Sequence, residues 1–268
     1  MSKSNTFRTE RAKELLTLKD LLRQYMPGIQ ASVDTLSSAA TACRLGKDDI
    51  WQYDVTNLIF PKISIAKSGV RHSRPAIEAY EVALTVNAFG ICTEEDSLVD
   101  PLSDLTVNIL VTGYTKRQRK KINAIHLDSH PPRDDEERRL KPVPNLEEAY
   151  KTSGQRINHN HPRYHFQIGG KHVWGKPSHE FGSQLLLETP RIAHPPLDAI
   201  LAIDFVLANY YAETWSKMLK FERRYRDLVE TAQDIFWRPY LFAAASTWSP
   251  FSVASPRWLP QQTYFGAG

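Results

Sequence analysis

Eight of the nine histidines in this chain fall between His126 and His194. In Ile125-His126-Leu127-Asp128 the imidazole and the carboxylate are two residues apart, so on a strand they share one face. His165 and Gln167 stand in the same relation in Tyr164-His165-Phe166-Gln167. If these two strands pair, one sheet face carries His126, Asp128, His165 and Gln167, and the other carries Ile125 and Leu127 beside Tyr164, Phe166 and Ile168. Such a face has three uses. A histidine pair can serve as general acid and base, because imidazole titrates near neutral pH. In metal-independent ribonucleases one such group deprotonates the 2′-hydroxyl and the other protonates the leaving oxygen. Histidine and aspartate can also ligate a transition metal, or the cluster can be structural and satisfy hydrogen bonds. Spacing argues against metal. His126 and His130 would need a helix to converge, yet they sit at a strand end before Pro131-Pro132, and His159-Asn160-His161 follows no standard zinc pattern. No metal and no cofactor is expected.

Two further features carry charge. Asp204 sits between Ile203 and Phe205 in an apolar helix, where a buried carboxylate is costly unless paired. Arg191, His194 and His165 are its candidate partners. The run Thr115-Lys116-Arg117-Gln118-Arg119-Lys120-Lys121 is placed as a hairpin loop. Lys116, Arg117, Arg119, Lys120 and Lys121 suit nucleic-acid phosphates, the alternative being a solvated hairpin tip. No G-x-S-x-G nucleophile elbow, phosphate-binding loop or dinucleotide-binding glycine fingerprint is present.

The elements that must position these groups follow from periodicity. Thr9 to Tyr25 reads as a helix capped by Thr9, with Leu15, Leu18, Leu21 and Leu22 at helical spacing and Pro27-Gly28 as the stop. A shorter helix is expected over Ala31 to Leu45. The period then changes to alternation over Ile50–Val55, Leu58–Ser64, Ala76–Ala88, Leu105–Tyr114, Ile122–Asp128 and Arg163–Ile168, with a short apolar strand at Gln184–Glu188. Pro195-Pro196 opens an apolar helix to Tyr211, and a second helix is expected from Glu213 to Phe236. The expected fold class is therefore α+β: a twisted antiparallel sheet of about six strands covered by an N-terminal helix and long C-terminal helices. Residues 1–238 form one domain, with a polar, proline-rich insertion over 129–160 that cannot bury enough surface to order itself well.

An aromatic, proline-rich tail follows over 239–268, with Tyr240, Phe242, Trp248, Phe251, Trp258, Tyr264 and Phe265. Its rings bury against the protein's own core or against a protein partner. The net charge of +4 is mildly basic and does not by itself imply nucleic acid. No apolar run is long enough to span a membrane. The N-terminus lacks a signal-peptide pattern, and Cys43 and Cys92 offer no disulfide framework. A cytoplasmic location is the expectation.

Ile125-His126-Leu127-Asp128, Tyr164-His165-Phe166-Gln167 with Gly169-Gly170, Pro190-Arg191-Ile192 with His194-Pro195-Pro196, and the helix end Phe205-Val206-Leu207-Ala208-Asn209-Tyr210 together carry a resemblance. Over Ile122 to Tyr211 the chain resembles a group of uncharacterised bacterial domains with a strand-borne histidine motif before a proline-led helix. These are similar in layout to toxin-like or phage-defence operon proteins. The resemblance implies an accessory or defence-linked bacterial role and supplies no reaction. Two functions are therefore expected: a non-catalytic subunit or adaptor of a multiprotein complex, docked through the tail and contacting nucleic acid, or a metal-independent ribonuclease or toxin-type enzyme working through His126, Asp128 and His165.

Overall fold

Alternating apolar and polar residues build the sheet that dominates the computed structural model, which describes residues 3–29, 32–68, 76–94, 98–129, 164–169 and 192–246. Strands β1 (Ile50–Ser64), β2 (Ala79–Ile91), β3 (Leu102–Tyr114), β4 (Lys120–Ser129), β5 (Tyr164–Ile168) and β6 (Ile192–Ala193) lie side by side in chain order. All neighbours are antiparallel. The fold class is the α+β arrangement that the periodicity predicts. Val55, Val86, Val107 and Leu127 are successive cross-strand partners and all are buried. They mark the inner face. By the twofold alternation of a strand, Asp54, Asn87, Thr106 and Asp128 mark the outer one.

Helices cover the inner face. In α1 (Lys3–Tyr25), Leu15, Leu18 and Leu22 recur at three and four residues and are buried. Thr9 lies inside α1 and does not cap it, because the helix already runs from Lys3. α2 (Thr35–Arg44) packs on β1, with α3 (Ile65–Ser68) at the strand's far end. Edge strand β1 is guarded by two hydroxyls: Thr35 Oγ1 accepts from Thr56 N at 2.8 Å and Ser32 Oγ accepts from Ile59 N at 2.9 Å. These acceptors occupy backbone donors that an edge otherwise offers to another chain. The two strand segments expected here are one strand. Its register jumps between Val55 and Leu58, and Asn57 takes φ 51° at that bulge.

The helix expected from Leu197 is α4 (Ala199–Tyr210), buried on more than one side. It starts from Asp198 and not from the prolines. Asp198 Oδ1 accepts from Leu201 N at 3.0 Å, as an N-cap does. The single helix expected over 213–236 is broken. α5 (Ala212–Phe221) ends at Glu222, whose φ of −111° and ψ of 100° are extended, and α6 (Arg223–Ala232) resumes beyond it. Neither glycine nor proline marks that break. Instead, Glu222 Oε1 accepts from the Tyr25 hydroxyl of α1 at 3.0 Å, a tertiary contact that periodicity cannot reveal. A π-helical turn (Gln233–Trp237) leads into α7 (Arg238–Ser246). The tail therefore begins helically, and its first ring, Tyr240, packs edge-on against Tyr164 at 6.0 Å. The sheet's inner face and these helices share one apolar core. Most of the insertion, the expected strand over 184–188 and the tail from 247 lie outside the described residues. Among the described residues no helix is long and apolar enough to cross a membrane.

Candidate functional site

Strand pairing brings the predicted histidine face together. Asp128 is the cross-strand partner of His165, and His126 is the partner of Gln167. The Asp128 carboxylate lies between the two rings: His126 Nε2 is 3.0 Å from Oδ2, and His165 Nε2 is 2.8 Å from Oδ1. On the far side of His126, Nδ1 meets Asn108 Oδ1 at 2.7 Å across the β3–β4 pair. Sequence reasoning missed Asn108. The signal for it was the alternation Leu105-Thr106-Val107-Asn108-Ile109, which places Asn108 opposite His126 once β3 and β4 are in register. His165 is only 1% exposed, whereas His126 and Asp128 are partly exposed.

Electrostatics make Asp128 the pivot. Burial opposes its charge, but the hydrogen bonds to His126 and His165, with the charges those rings carry when protonated, outweigh burial and hold the carboxyl well below the usual range. With Asn108 Oδ1 as acceptor, His126 needs a proton on both ring nitrogens to satisfy both contacts. With the amide turned, Asn108 Nδ2 donates to a bare Nδ1. Either way both nitrogens of His126 are engaged. Among the described residues no group of three or more His, Cys, Asp or Glu side chains is arranged to hold a metal ion.

The cluster belongs to a polar belt across the outer face. One row runs Asp54, Asn87, Thr106, Asp128, His165, and the next runs Thr85, Asn108, His126, Gln167. With its amide turned towards β1, Asn87 donates to Asp54 Oδ1 at 3.3 Å. Hydrogen bonds thus link neighbours along the belt, as cross-strand pairs do.

The second predicted acid sits elsewhere and in a different role. Asp204 is half-buried in α4, and its Oδ1 accepts from Trp215 Nε1 at 2.8 Å and from the Tyr225 hydroxyl at 2.7 Å. It ties α4 to α5 and α6. Burial and the Asp204 charge push the Tyr225 phenol far above its ordinary range. Arg191 lies outside the described residues. His194 bonds Pro195 O through Nδ1 at 2.6 Å and packs against Phe166 at 5.3 Å, so neither it nor His165 serves Asp204. Burial pushes His194 below its ordinary value.

Among the described residues the fully buried acid is Asp198, which the sequence reading did not single out. It is 1% exposed and faces Arg11, 2% exposed, with Arg11 Nη1 at 3.7 Å from Oδ2. Arg11 also pairs with Glu14. The Tyr53 hydroxyl is 3.2 Å from Asp198 Oδ2 and accepts from Ala199 N at 3.2 Å. Burial drives the Asp198 carboxyl above its ordinary value despite Arg11, the cap amides and Tyr53. The legible signals were an arginine four residues before Leu15 in the apolar stripe and an aspartate directly before an apolar helix. A cleft of about 740 Å³ opens over Arg11, between α1 and the π-helical turn, with Glu10, Glu94, Asp234 and Arg238 on its walls. Neither His126 nor His165 lines it.

The basic hairpin turns where the sequence placed it, but it is shorter: Lys120 and Lys121 already belong to β4. Thr115 N donates to Arg119 O at 3.0 Å, and Gln118 takes φ 57° to turn the chain. Lys116, Arg117, Arg119 and Lys120 are exposed, while Lys121 falls on the opposite sheet face from Lys120 and is half-buried. Comparison with protein-family models, curated proteins and solved structures finds no match for this chain.

Proposed function

We propose that this chain is a non-catalytic subunit or adaptor of a bacterial, defence-related multiprotein complex, working in the cytoplasm and contacting nucleic acid through the basic end of its sheet. The observation that carries the non-catalytic part is that both ring nitrogens of His126 and Nε2 of His165 face Asn108 and Asp128 within the sheet. A general base needs a nitrogen within reach of the proton it takes. Here His126 spends one nitrogen on Asp128 and the other on Asn108, and His165 spends Nε2 on the same carboxylate. The arrangement matches a cross-strand tie better than an acid–base pair flanking a phosphodiester. Asp204 is likewise spent on two core donors. Exposed cations at the hairpin supply the sequence-independent attraction that nucleic acid needs. The aromatic residues from Trp248 onward supply the docking element for a protein partner.

The test incubates the purified chain with RNA and DNA, with and without EDTA, beside His126→Ala and His165→Ala. No cleavage by any of them is expected. Cleavage by the wild type that either substitution abolishes establishes the ribonuclease alternative instead. Truncation after Ser246 keeps Tyr240 and the core intact, and should abolish co-purification with the native partner. Undiminished co-purification removes the tail from the interface.

A further inference from the structure

We propose that Lys62, Tyr114 and Lys120 form a seat for the sugar-phosphate backbone and one base of single-stranded nucleic acid, flanked by the cations of the hairpin tip. The inference rests on the reading that this end of the sheet contacts nucleic acid, and it adds two residues that lie outside the basic run. Lys62 comes from β1, more than fifty positions earlier in the chain. The sheet carries it to Tyr114: its Nζ lies 3.8 Å from the ring centroid, and Lys120 Nζ lies 6.0 Å from the same centroid. Two ammonium groups beside one ring raise the local positive potential, which draws a phosphate. Among the described residues Lys62, Lys116, Arg117, Arg119 and Lys120 have no carboxylate ion-pair partner. A nearby acid, Glu81, accepts from the Tyr114 hydroxyl at 2.5 Å and makes no ion pair with these cations. That bond fixes the ring and holds its proton, pushing the phenol up to about 12.

Geometry selects the ligand. Ser64 pairs with Ala79, Ala79 with Tyr114, and Tyr114 with Lys120, so the four strands end level. Among the described residues, the turn from Thr115 to Arg119 and the one-turn helix α3 after Ser64 stand beyond them. A duplex major groove, roughly 8.5 Å deep, is read by a long helix or a projecting ribbon, whereas the described elements at this end are a tight turn and the four-residue α3. A single strand needs less: cations along its phosphates and a flat ring on which one base stacks. Lys62 is exposed and flexible, and exchanging its ring contact for a phosphate oxygen frees a face of Tyr114 for a base. An acidic protein would use the cations and leave the ring without a role.

The experiment measures anisotropy of a fluorescein-labelled dT 12-mer against the full chain from low to moderate salt. Single strands contribute a slope of about −0.7 per phosphate contact in log affinity against log salt. The double variant Lys62→Gln/Lys120→Gln should flatten that slope by about 1.4 and weaken binding, with an unchanged melting temperature. Tyr114→Leu should lose about tenfold in affinity at unchanged slope, and Tyr114→Phe should keep most of it. A 12-base-pair duplex bound as tightly as the single strand overturns the proposal. So does polyglutamate that competes as well as dT, which assigns the surface to an acidic protein. If the double variant keeps the wild-type slope while Lys116→Gln/Arg117→Gln/Arg119→Gln loses it, the tip alone binds, and the seat falls while the nucleic-acid reading stands. Absence of binding by the wild type overturns both.

Discussion

Replacing Arg11 with methionine isolates the energetics of the most deeply buried charges in the described structure. Methionine keeps the apolar stem against Phe236, where the guanidinium now lies 5.6 Å from the ring centroid, and removes the cation that faces Asp198 and Glu14. At the observed 3.7 Å separation from Asp198, an effective dielectric near 20 gives an attraction of about 4 kcal/mol. Removing one partner of a buried pair costs about 3–5 kcal/mol, because the other charge is left without compensation. A loss of about 3–4 kcal/mol is therefore expected, equivalent to roughly 10 °C in Tm for a chain of this size. The loss should depend on pH. Burial raises the folded-state value of Asp198, so the folded chain binds more protons than the unfolded one between the unfolded value, about 3.9, and the raised folded one. Across that window stability falls as pH rises. Arg11 holds the folded value down, and without it the window extends upward. Arg11→Met should thus cost more at pH 7.5 than at pH 4.5. Asparagine caps a helix as well as aspartate does, so Arg11→Met/Asp198→Asn should recover much of the loss. Urea unfolding followed by tryptophan fluorescence at both pH values reads all three variants. A loss below about 1 kcal/mol at pH 7.5, or one equal at both pH values, refutes the reasoning.

Three other outcomes follow from the same structure. Asp128→Asn should destabilise by about 3 kcal/mol at neutral pH, since it weakens hydrogen bonds to a charged group on both sides. Asp128 is held low when folded, so its stabilisation is full above the unfolded value and is lost as pH falls through the folded one. The variant's acid-unfolding limb should be flatter, as circular dichroism will show. Tyr225→Phe leaves Asp204 with Trp215 alone and should cost about 1–3 kcal/mol in a urea titration, with no change in any binding activity. Gly90→Ala should be far more damaging than Gly113→Ala in a thermal melt. A Cβ at position 90 would lie 1.9 Å from the Pro101 carbonyl oxygen, which is backbone, whereas at 113 it meets the end of the flexible Ile77 side chain at 2.8 Å.

Alternation made the sheet legible. Tyr80, Val82, Leu84 and Val86 announced an inner face, and the same rule placed His126 with Asp128 and His165 with Gln167 before their strands were known to pair. What alternation could not supply was register and tertiary pairing. Asn108 reaches His126 only because β3 and β4 align in one particular way. Glu222 interrupts a helix whose sequence is continuous, and its carboxylate accepts from Tyr25 of α1. Asp204 drew attention as a carboxylate among apolar residues, yet among the described residues Asp198 is the acid that is buried. Its partner lies nearly two hundred residues away in α1, and the prolines before it masked its capping role. Lys62 escaped notice for the same reason: only the sheet brings it to Tyr114.

One reaction tests the central claim that this chain holds nucleic acid without cutting it. The purified wild-type chain is mixed with a labelled 12-nucleotide RNA at low salt, anisotropy is followed over hours, and the same sample is then run on a denaturing gel. The account predicts binding that weakens steeply with added salt and RNA that stays full length. Shortened RNA, absent when His126→Ala or His165→Ala replaces the wild type, would contradict it and return the histidine face to catalysis.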